Sequence, residues 1–145
     1  MSKTTLESRA IQDLSSKADK LLIAKEHDKL KELLEPFLGI EHSFDNCFDE
    51  AHYHYILGNC FQAIYGHQKS DWFSTEVGKS VTSYRKALHA VQKINPPTNN
   101  SLYLQGCIET NLGNCLSSQG RVFCCIPFWD SAYRCTKNPI SLISK

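Results

Sequence analysis

The tetrapeptide Leu57-Gly58-Asn59-Cys60 recurs 55 positions further along the chain as Leu112-Gly113-Asn114-Cys115. Both copies lie in stretches whose apolar residues are three or four positions apart, which is the spacing of one face of an α-helix. Glycine has no Cβ, so a glycine inside a helix lets a neighbouring helix approach closely. The repeated Leu-Gly pair therefore indicates one helix-packing unit that is used twice.

The same periodicity continues through most of the chain and predicts an all-α protein with about six helices in three antiparallel pairs. No sustained alternation of apolar and polar residues is present, so no sheet is expected. Residues 40–50 and 67–75 are expected to be loops, and Asn95-Pro96-Pro97 separates two pairs. The predicted parts of this single domain, 1–145, are a first pair at 5–38, a second at 49–94, a third at 101–137 and a tail at 138–145.

Charge and apolar content exclude several classes of protein. The net charge of +1 provides no overall attraction to nucleic acid or to a membrane. This total conceals a net charge of −4 over residues 1–50 and of +5 over residues 51–145. Solvated helix faces explain such an asymmetry, and the alternative is head-to-tail association or a basic concave surface. The longest apolar run, Val122–Trp129, is too short to cross a membrane, and the first residues contain no apolar leader. The sequence thus predicts a cytoplasmic protein.

Seven cysteines do not form a metal-binding motif. There is no Cys-x-x-Cys pair, and Cys124-Cys125 are adjacent, which is poor geometry for two zinc ligands. Cys60, Cys107 and Cys115 occupy helix positions that suit small core residues, so core packing and reduced thiols are expected. His52 and His54 do not share a helix face. No metal, cofactor or catalytic residue is predicted, and we expect the protein not to be an enzyme.

The third pair resembles a tetratricopeptide (TPR) repeat. That motif has Leu-Gly on its first helix, glycine at the turn, and a small residue, an aromatic residue and alanine on its second helix. The matching residues of the third pair are Leu112, Gly113, Gly120, Cys125, Trp129 and Ala132. The second pair matches through Ala51, Leu57, Gly58, Phe61, Tyr84, Ala87 and Leu88, with about ten extra residues that 67–75 would accommodate. The first pair is degenerate and has no Leu-Gly.

The region around Thr110–Asn114, with Ser117–Arg121 and Phe128–Asp130, is also similar to the helical repeats of bacterial proteins that continue into a HEPN-type domain. The catalytic HEPN domain itself has no counterpart here. Its motif places four to six residues between an arginine and a histidine, whereas only three lie between Arg85 and His89. This resemblance therefore implies no nuclease activity.

The sixth helix departs from the repeat pattern. Pro127 lacks the N–H of a helix interior, so the helix should begin near 124–126 or be kinked.

The TPR resemblance implies a concave groove formed by the first helix of each pair, and hence a protein or peptide partner. The candidate groove residues are Asn59, Gln62, Asn111, Asn114 and Ser118, whose polar groups could hold an extended backbone. Trp72-Phe73 in the polar segment 67–75 is a second candidate contact, although it could instead cover the helix junction. The alternatives are an RNA-associated regulatory module or remnant related to the HEPN-linked proteins, and a self-assembling structural protein.

The final pair has no further helix to cover it, which predicts an exposed apolar face. Such faces on soluble proteins commonly pair with a second copy. We therefore expect a homodimer formed through Phe128, Trp129, Tyr133 and Ile140, with the alternative that residues 138–145 fold back over the face.

Overall fold

A computed structural model describes residues 3–65 and 75–137, and this part of the chain is mostly helical. Its six α-helices are α1 (Ser8–Ala24), α2 (His27–Leu34), α3 (Cys47–Tyr65), α4 (Thr75–Gln92), α5 (Asn99–Ser118) and α6 (Val122–Lys137). A 3₁₀ turn, Glu35–Phe37, follows α2. The most extensive helix contacts are those between α3 and α4 and between α5 and α6, and α4 also packs on α5. The prediction of an all-α protein with six helices is confirmed at this level.

Two buried clusters form the core of the described residues. The first joins α1, α2 and α3 and contains Ile11, Leu14, Leu30, Leu34 and Cys60, each at most 2% exposed. The second joins α4, α5 and α6, with Ala51 of α3 at its edge. Because α3 contributes to both clusters, it is the element that links the first two helices to the last three.

Polar side chains fix the starts of two helices. Asn46 Oδ1 accepts a hydrogen bond from the Asp49 N–H at 2.8 Å, and so caps α3. The Asp49 carboxylate in turn accepts hydrogen bonds from Asn46 and from Ser8 at the start of α1. Thr98 and Ser101 form a reciprocal capping box at the start of α5, with bonds of 3.0 and 2.8 Å.

Each glycine of the repeated Leu-Gly-Asn sequence lies against an aromatic ring of the following helix. A Cβ on Gly58 would be 2.6 Å from Tyr84 Cε1, and one on Gly113 would be 2.5 Å from Trp129 Cδ1 and Nε1. The neighbouring asparagine accepts a hydrogen bond from the same ring: Tyr84 Oη lies 2.7 Å from Asn59 Oδ1. The equivalent bond from Trp129 Nε1 to Asn114 Oδ1 is 3.1 Å long. The same contact between consecutive helices, made by a glycine, an asparagine and an aromatic hydrogen-bond donor, thus occurs twice.

The expectation of no sheet was wrong. Strands β1 (Thr4–Leu6) and β2 (His42–Phe44) pair in parallel, with Thr5 opposite Ser43. Residues 4–6 therefore precede the first helix, which begins at Ser8, and part of the predicted loop 40–50 is a strand. A bond between the Thr5 and Ser43 hydroxyls at 2.8 Å and an ion pair between Lys3 and Glu41 at 3.2 Å support the pairing.

The sixth helix does not begin near 124–126, the first of the two alternatives that Pro127 left open. It starts at Val122, and Pro127 lies inside it. Proline cannot donate the bond that a helix interior requires, so the Phe123 carbonyl loses its partner four residues on. Phe123 is 90% exposed, which leaves that part of α6 beside solvent rather than the core. The later start was wrong because it required the proline to lie within the first turn, whereas Pro127 is accommodated further along an exposed part of α6.

Candidate functional site

A cavity of about 410 Å³ lies among α1, α3 and α5. We call it the three-helix groove. The residues that line it are Ser15, Ala18, Asp19 and Leu22 of α1, Phe48, His52, Tyr55, Ile56 and Asn59 of α3, and Asn100, Tyr103, Leu104 and Cys107 of α5. Apolar and aromatic walls with a few polar atoms are typical of a ligand-binding cavity.

The groove has a weak negative charge. Asp19 is exposed at its rim, and its described lining contains neither lysine nor arginine. Burial lowers the pKa of His52, although the carboxylates of Asp49 and Asp19 oppose this change. His52 is therefore neutral at physiological pH. A ligand with a neutral or basic group next to an apolar one would fit this distribution of charge.

A hydrogen-bond network behind the groove connects α3, α4 and α5. Asn111 Nδ2 donates to Tyr55 Oη at 3.2 Å. Burial raises the pKa of the Tyr55 hydroxyl, and hydrogen bonds from Asn59 and Asn111 oppose that rise. Asn59 also accepts from Tyr84, whose hydroxyl is 2.9 Å from Gln62 Oε1 as well. The network holds the Tyr55 ring in place at the wall of the groove.

The five predicted groove residues divide between the groove and its surroundings. Asn59 lines the groove, but its side-chain oxygen already accepts the Tyr84 hydroxyl proton. Gln62 and Asn111 reach the groove only through the tyrosine network. Asn114 and Ser118 lie outside it, since Asn114 accepts from Trp129 and the Ser118 hydroxyl donates to the Asn114 carbonyl at 2.9 Å.

Trp72, Phe73 and Ile140 lie outside the described residues. Of the other residues predicted for self-association, Phe128 is half-buried against the second core cluster. Trp129 and Tyr133 are 38% and 59% exposed, and Phe123 and Ile126 of the same helix are more exposed than Trp129. The exposed apolar face of α6 therefore consists of Phe123, Ile126, Trp129 and Tyr133.

Most of the residues that line the groove were not among those predicted from the sequence. On α3, Phe48, His52, Tyr55 and Asn59 follow one another at steps of four, three and four. Tyr103 and Cys107 are similarly four apart on α5. This spacing is a second helical stripe beside the core stripe. A search for two stripes on each first helix would have found the groove, whereas a search for polar side chains alone did not.

The cysteines are all free thiols in the structure, and Cys60, Cys115, Cys125 and Cys135 are buried. Burial raises the pKa of the Cys60 thiol to about 12 and also raises that of Cys115. Over residues 3–65 and 75–137, no group of three or more His, Cys, Asp or Glu side chains is arranged to hold a metal ion. Buried thiols with raised pKa values are poor nucleophiles, which is consistent with a packing role.

Within the two described ranges, no helix combines the length and the apolar character that a bilayer span requires. Comparison of the chain with known protein families, with characterised proteins and with solved structures finds no match.

Proposed function

We propose that this protein is a non-catalytic binding module that holds an extended peptide in the three-helix groove. The observation that carries the proposal is that α1, α3 and α5, the first helices of successive pairs, alone supply the described lining of the groove. A solenoid of TPR-type helix pairs presents a surface of this kind to its ligand. The two glycine–aromatic contacts support the repeat relationship, because they occupy equivalent positions in the second and third pairs.

The dimensions and charge of the groove define the expected peptide. A volume of about 410 Å³ accommodates one large side chain and part of its neighbours. Phe48, Tyr55 and Tyr103 provide the aromatic surface for an apolar side chain, and Asp19 provides a partner for a lysine or arginine. The proposed ligand is thus an extended peptide with a large apolar residue close to a basic one.

Selection from a random peptide library displayed on phage, followed by affinity measurements on the selected peptides, tests the proposal. Tyr103→Ala and Asp19→Lys should each weaken binding, since both side chains line the groove and are exposed. The matched control is Tyr133→Ala, because Tyr133 is 59% exposed, close to the 66% of Tyr103, but lies on α6 away from the groove.

Affinity should fall for the groove variants and stay the same for the control. The proposal is wrong if no peptide is enriched over scrambled sequences, or if Tyr103→Ala and Tyr133→Ala weaken binding equally.

A second candidate function, self-assembly into a homodimer, is favoured by the exposed apolar face of α6. Phe123, Ile126, Trp129 and Tyr133 are spaced by three or four residues and so share that face. Two-fold pairing of identical faces is the commonest way in which such a surface is covered. Light scattering at micromolar concentration should show a dimer that Phe123→Asp or Trp129→Lys weakens and Lys31→Glu leaves intact. A monomer of 16.5 kDa would contradict this candidate.

A further inference from the structure

A second cavity, of about 820 Å³, lies on the other side of α3 and is independent of the three-helix groove. We call it the basic cleft. One wall is the segment Phe37–Phe44 together with Tyr53, His54, Leu57 and Phe61 of α3, and the opposite wall is α4. Its volume lies within the range of small-molecule sites.

The α4 wall of the basic cleft carries positive charge. Lys79, Thr82, Lys86 and His89 all line the cleft and follow one another at steps of three, four and three. These steps place them on one face of the helix. Neither Lys79 nor Lys86 forms an ion pair with a carboxylate whose side chain the structure describes, and the Lys79 ammonium lies 6.0 Å from the centre of the Tyr65 ring. An anionic ligand can therefore bind Lys86 directly, and it can bind Lys79 in place of that ring contact.

The opposite wall is aromatic. Phe37, His42, Phe44, Tyr53 and His54 form a cluster whose ring centroids are 5.2–6.4 Å apart. Tyr53 is buried, whereas the other four rings are partly exposed and line the cleft. A planar ring could stack on such a surface, since aromatic groups attract one another in offset or edge-to-face arrangements.

His42 adds a directional acceptor to this wall. Its Nε2 lies 3.0 Å from the Phe37 carbonyl oxygen, which can only accept, so Nε2 carries the proton. In a neutral ring, Nδ1 then has a free lone pair. This atom is buried and has no hydrogen-bond partner among the described residues. A buried acceptor without a donor is costly, and a ligand N–H group would satisfy it once a small rotation of the His42 ring brings Nδ1 to the surface of the cleft.

We propose that the basic cleft binds a nucleoside phosphate. The base would stack on the aromatic wall beside Phe44 and His54, a base N–H group would donate to His42 Nδ1, and the phosphate would bind Lys79 and Lys86. The two carboxylates of the cleft do not neutralise both lysines. Glu41 forms an ion pair with Lys3 at 3.2 Å, so only the charge of Glu50 offsets the charges of Lys79 and Lys86. A ligand needs both a planar donor and an anion to use both walls, and a nucleotide has both.

Isothermal titration of the full chain with adenosine monophosphate, the other three nucleoside monophosphates, adenosine and inorganic phosphate tests this proposal. At least one nucleotide should bind more tightly than adenosine or phosphate alone, since these use one wall each. Lys86→Glu and Thr82→Glu should weaken that binding about tenfold or more, because they place a negative charge beside the phosphate. The matched control is Arg85→Glu: Arg85 is an exposed cation adjacent to Lys86 that does not line the cleft.

Circular dichroism would first establish that each variant is folded. The proposal is supported if the two cleft variants lose affinity and the Arg85 variant stays within about twofold of the parent at physiological ionic strength. It is overturned if no nucleoside monophosphate binds at millimolar concentration, or if Lys86→Glu and Arg85→Glu weaken binding equally. Binding of a single-stranded oligonucleotide or an acidic peptide, with no binding of mononucleotides, would also overturn it.

Discussion

Replacing Gly58 by alanine should destabilise the protein, although alanine normally favours a helix. The new Cβ would lie 2.6 and 2.7 Å from two carbons of the Tyr84 ring, far inside the ~3.5 Å at which carbon atoms pack without repulsion. The ring cannot easily withdraw, because Tyr84 is completely buried and its hydroxyl is bonded to Asn59 and Gln62.

The expected size of the effect follows from three contributions. Overpacking costs ~1–3 kcal/mol, and displacement of the Tyr84 hydroxyl from its acceptors costs ~1 kcal/mol. The helix preference of alanine over glycine returns ~1 kcal/mol. Gly58→Ala should therefore lower the free energy of unfolding by about 2 kcal/mol. Gly78 is the matched control, since its added Cβ meets no described atom within 4 Å and Gly78→Ala should stabilise by up to ~1 kcal/mol.

Thermal unfolding followed by circular dichroism measures both changes. For a chain of 145 residues, 1 kcal/mol corresponds to about 3 °C, so the melting temperature should fall by about 6 °C for Gly58→Ala and rise by about 3 °C for Gly78→Ala. Gly113→Ala should have a smaller effect than Gly58→Ala, because Trp129 is 38% exposed and can turn outward. Equal stability of the Gly58 variant and the parent would refute the close contact between α3 and α4.

Four further outcomes are expected. Tyr84→Phe should cost about 1 kcal/mol in chemical denaturation, because the amide oxygens of Asn59 and Gln62 lose the one hydroxyl proton that they share, and an unchanged midpoint would contradict this. Lys25→Gly should stabilise the protein by about 1 kcal/mol, because Lys25 has a φ of 56°, a left-handed conformation that glycine adopts at lower cost. A lower melting temperature would show that the contacts of the Lys25 side chain outweigh this backbone effect. Burial and a nearby lysine lower the pKa of His54 from 6.5 to about 4. Between pH 4 and 6.5 the unfolded state therefore binds more protons than the folded state. The stability that neutral His54 contributes is therefore fully present above about pH 6.5 and is lost as the pH falls toward 4. His54→Gln should flatten the dependence of the unfolding free energy on pH between these values. Parallel curves for the variant and the parent would contradict this expectation. In the native protein Cys124 should react with a thiol reagent before Cys60 does, because Cys124 is exposed and Cys60 is buried with a pKa of about 12. Mass spectrometry of the labelled protein measures both rates, and equal rates would disprove this.

The helices could be predicted from the sequence because each one leaves a local signal. The motif residues of α3, which are Ala51, Leu57, Gly58 and Phe61, are all buried. The second and third pairs were expected at 49–94 and 101–137, and the helices of these regions span 47–92 and 99–137. The paired strands left no such signal, since each has three residues and the partners lie 38 positions apart.

The binding surfaces were harder to predict because their atoms have partners that the sequence does not specify. Asn59 and Asn114 were expected to face a ligand, since asparagine can donate and accept, but each accepts from the aromatic residue of the next helix. The basic cleft was not anticipated, because its walls come from the segment 37–44, α3 and α4. Only the folded chain brings the unpaired acceptor of His42 near Lys86.

The pairing of β1 with β2 has a consequence for which substitutions each part of the protein can accept. The contacts of α3 with α4 and of α5 with α6 are closed by side chains, and a residue larger than glycine at position 58 or 113 would displace the ring of Tyr84 or Trp129. No such glycine–aromatic contact is described between α1 and α2. The backbone hydrogen bonds between β1, which precedes α1, and β2, which follows α2, connect this part of the chain instead. Every residue except proline can form such bonds, so selection should leave the exposed Thr4 free to vary, whereas Thr5 also bonds the Ser43 hydroxyl. Related chains should accordingly differ most at their beginning and least at the two glycines.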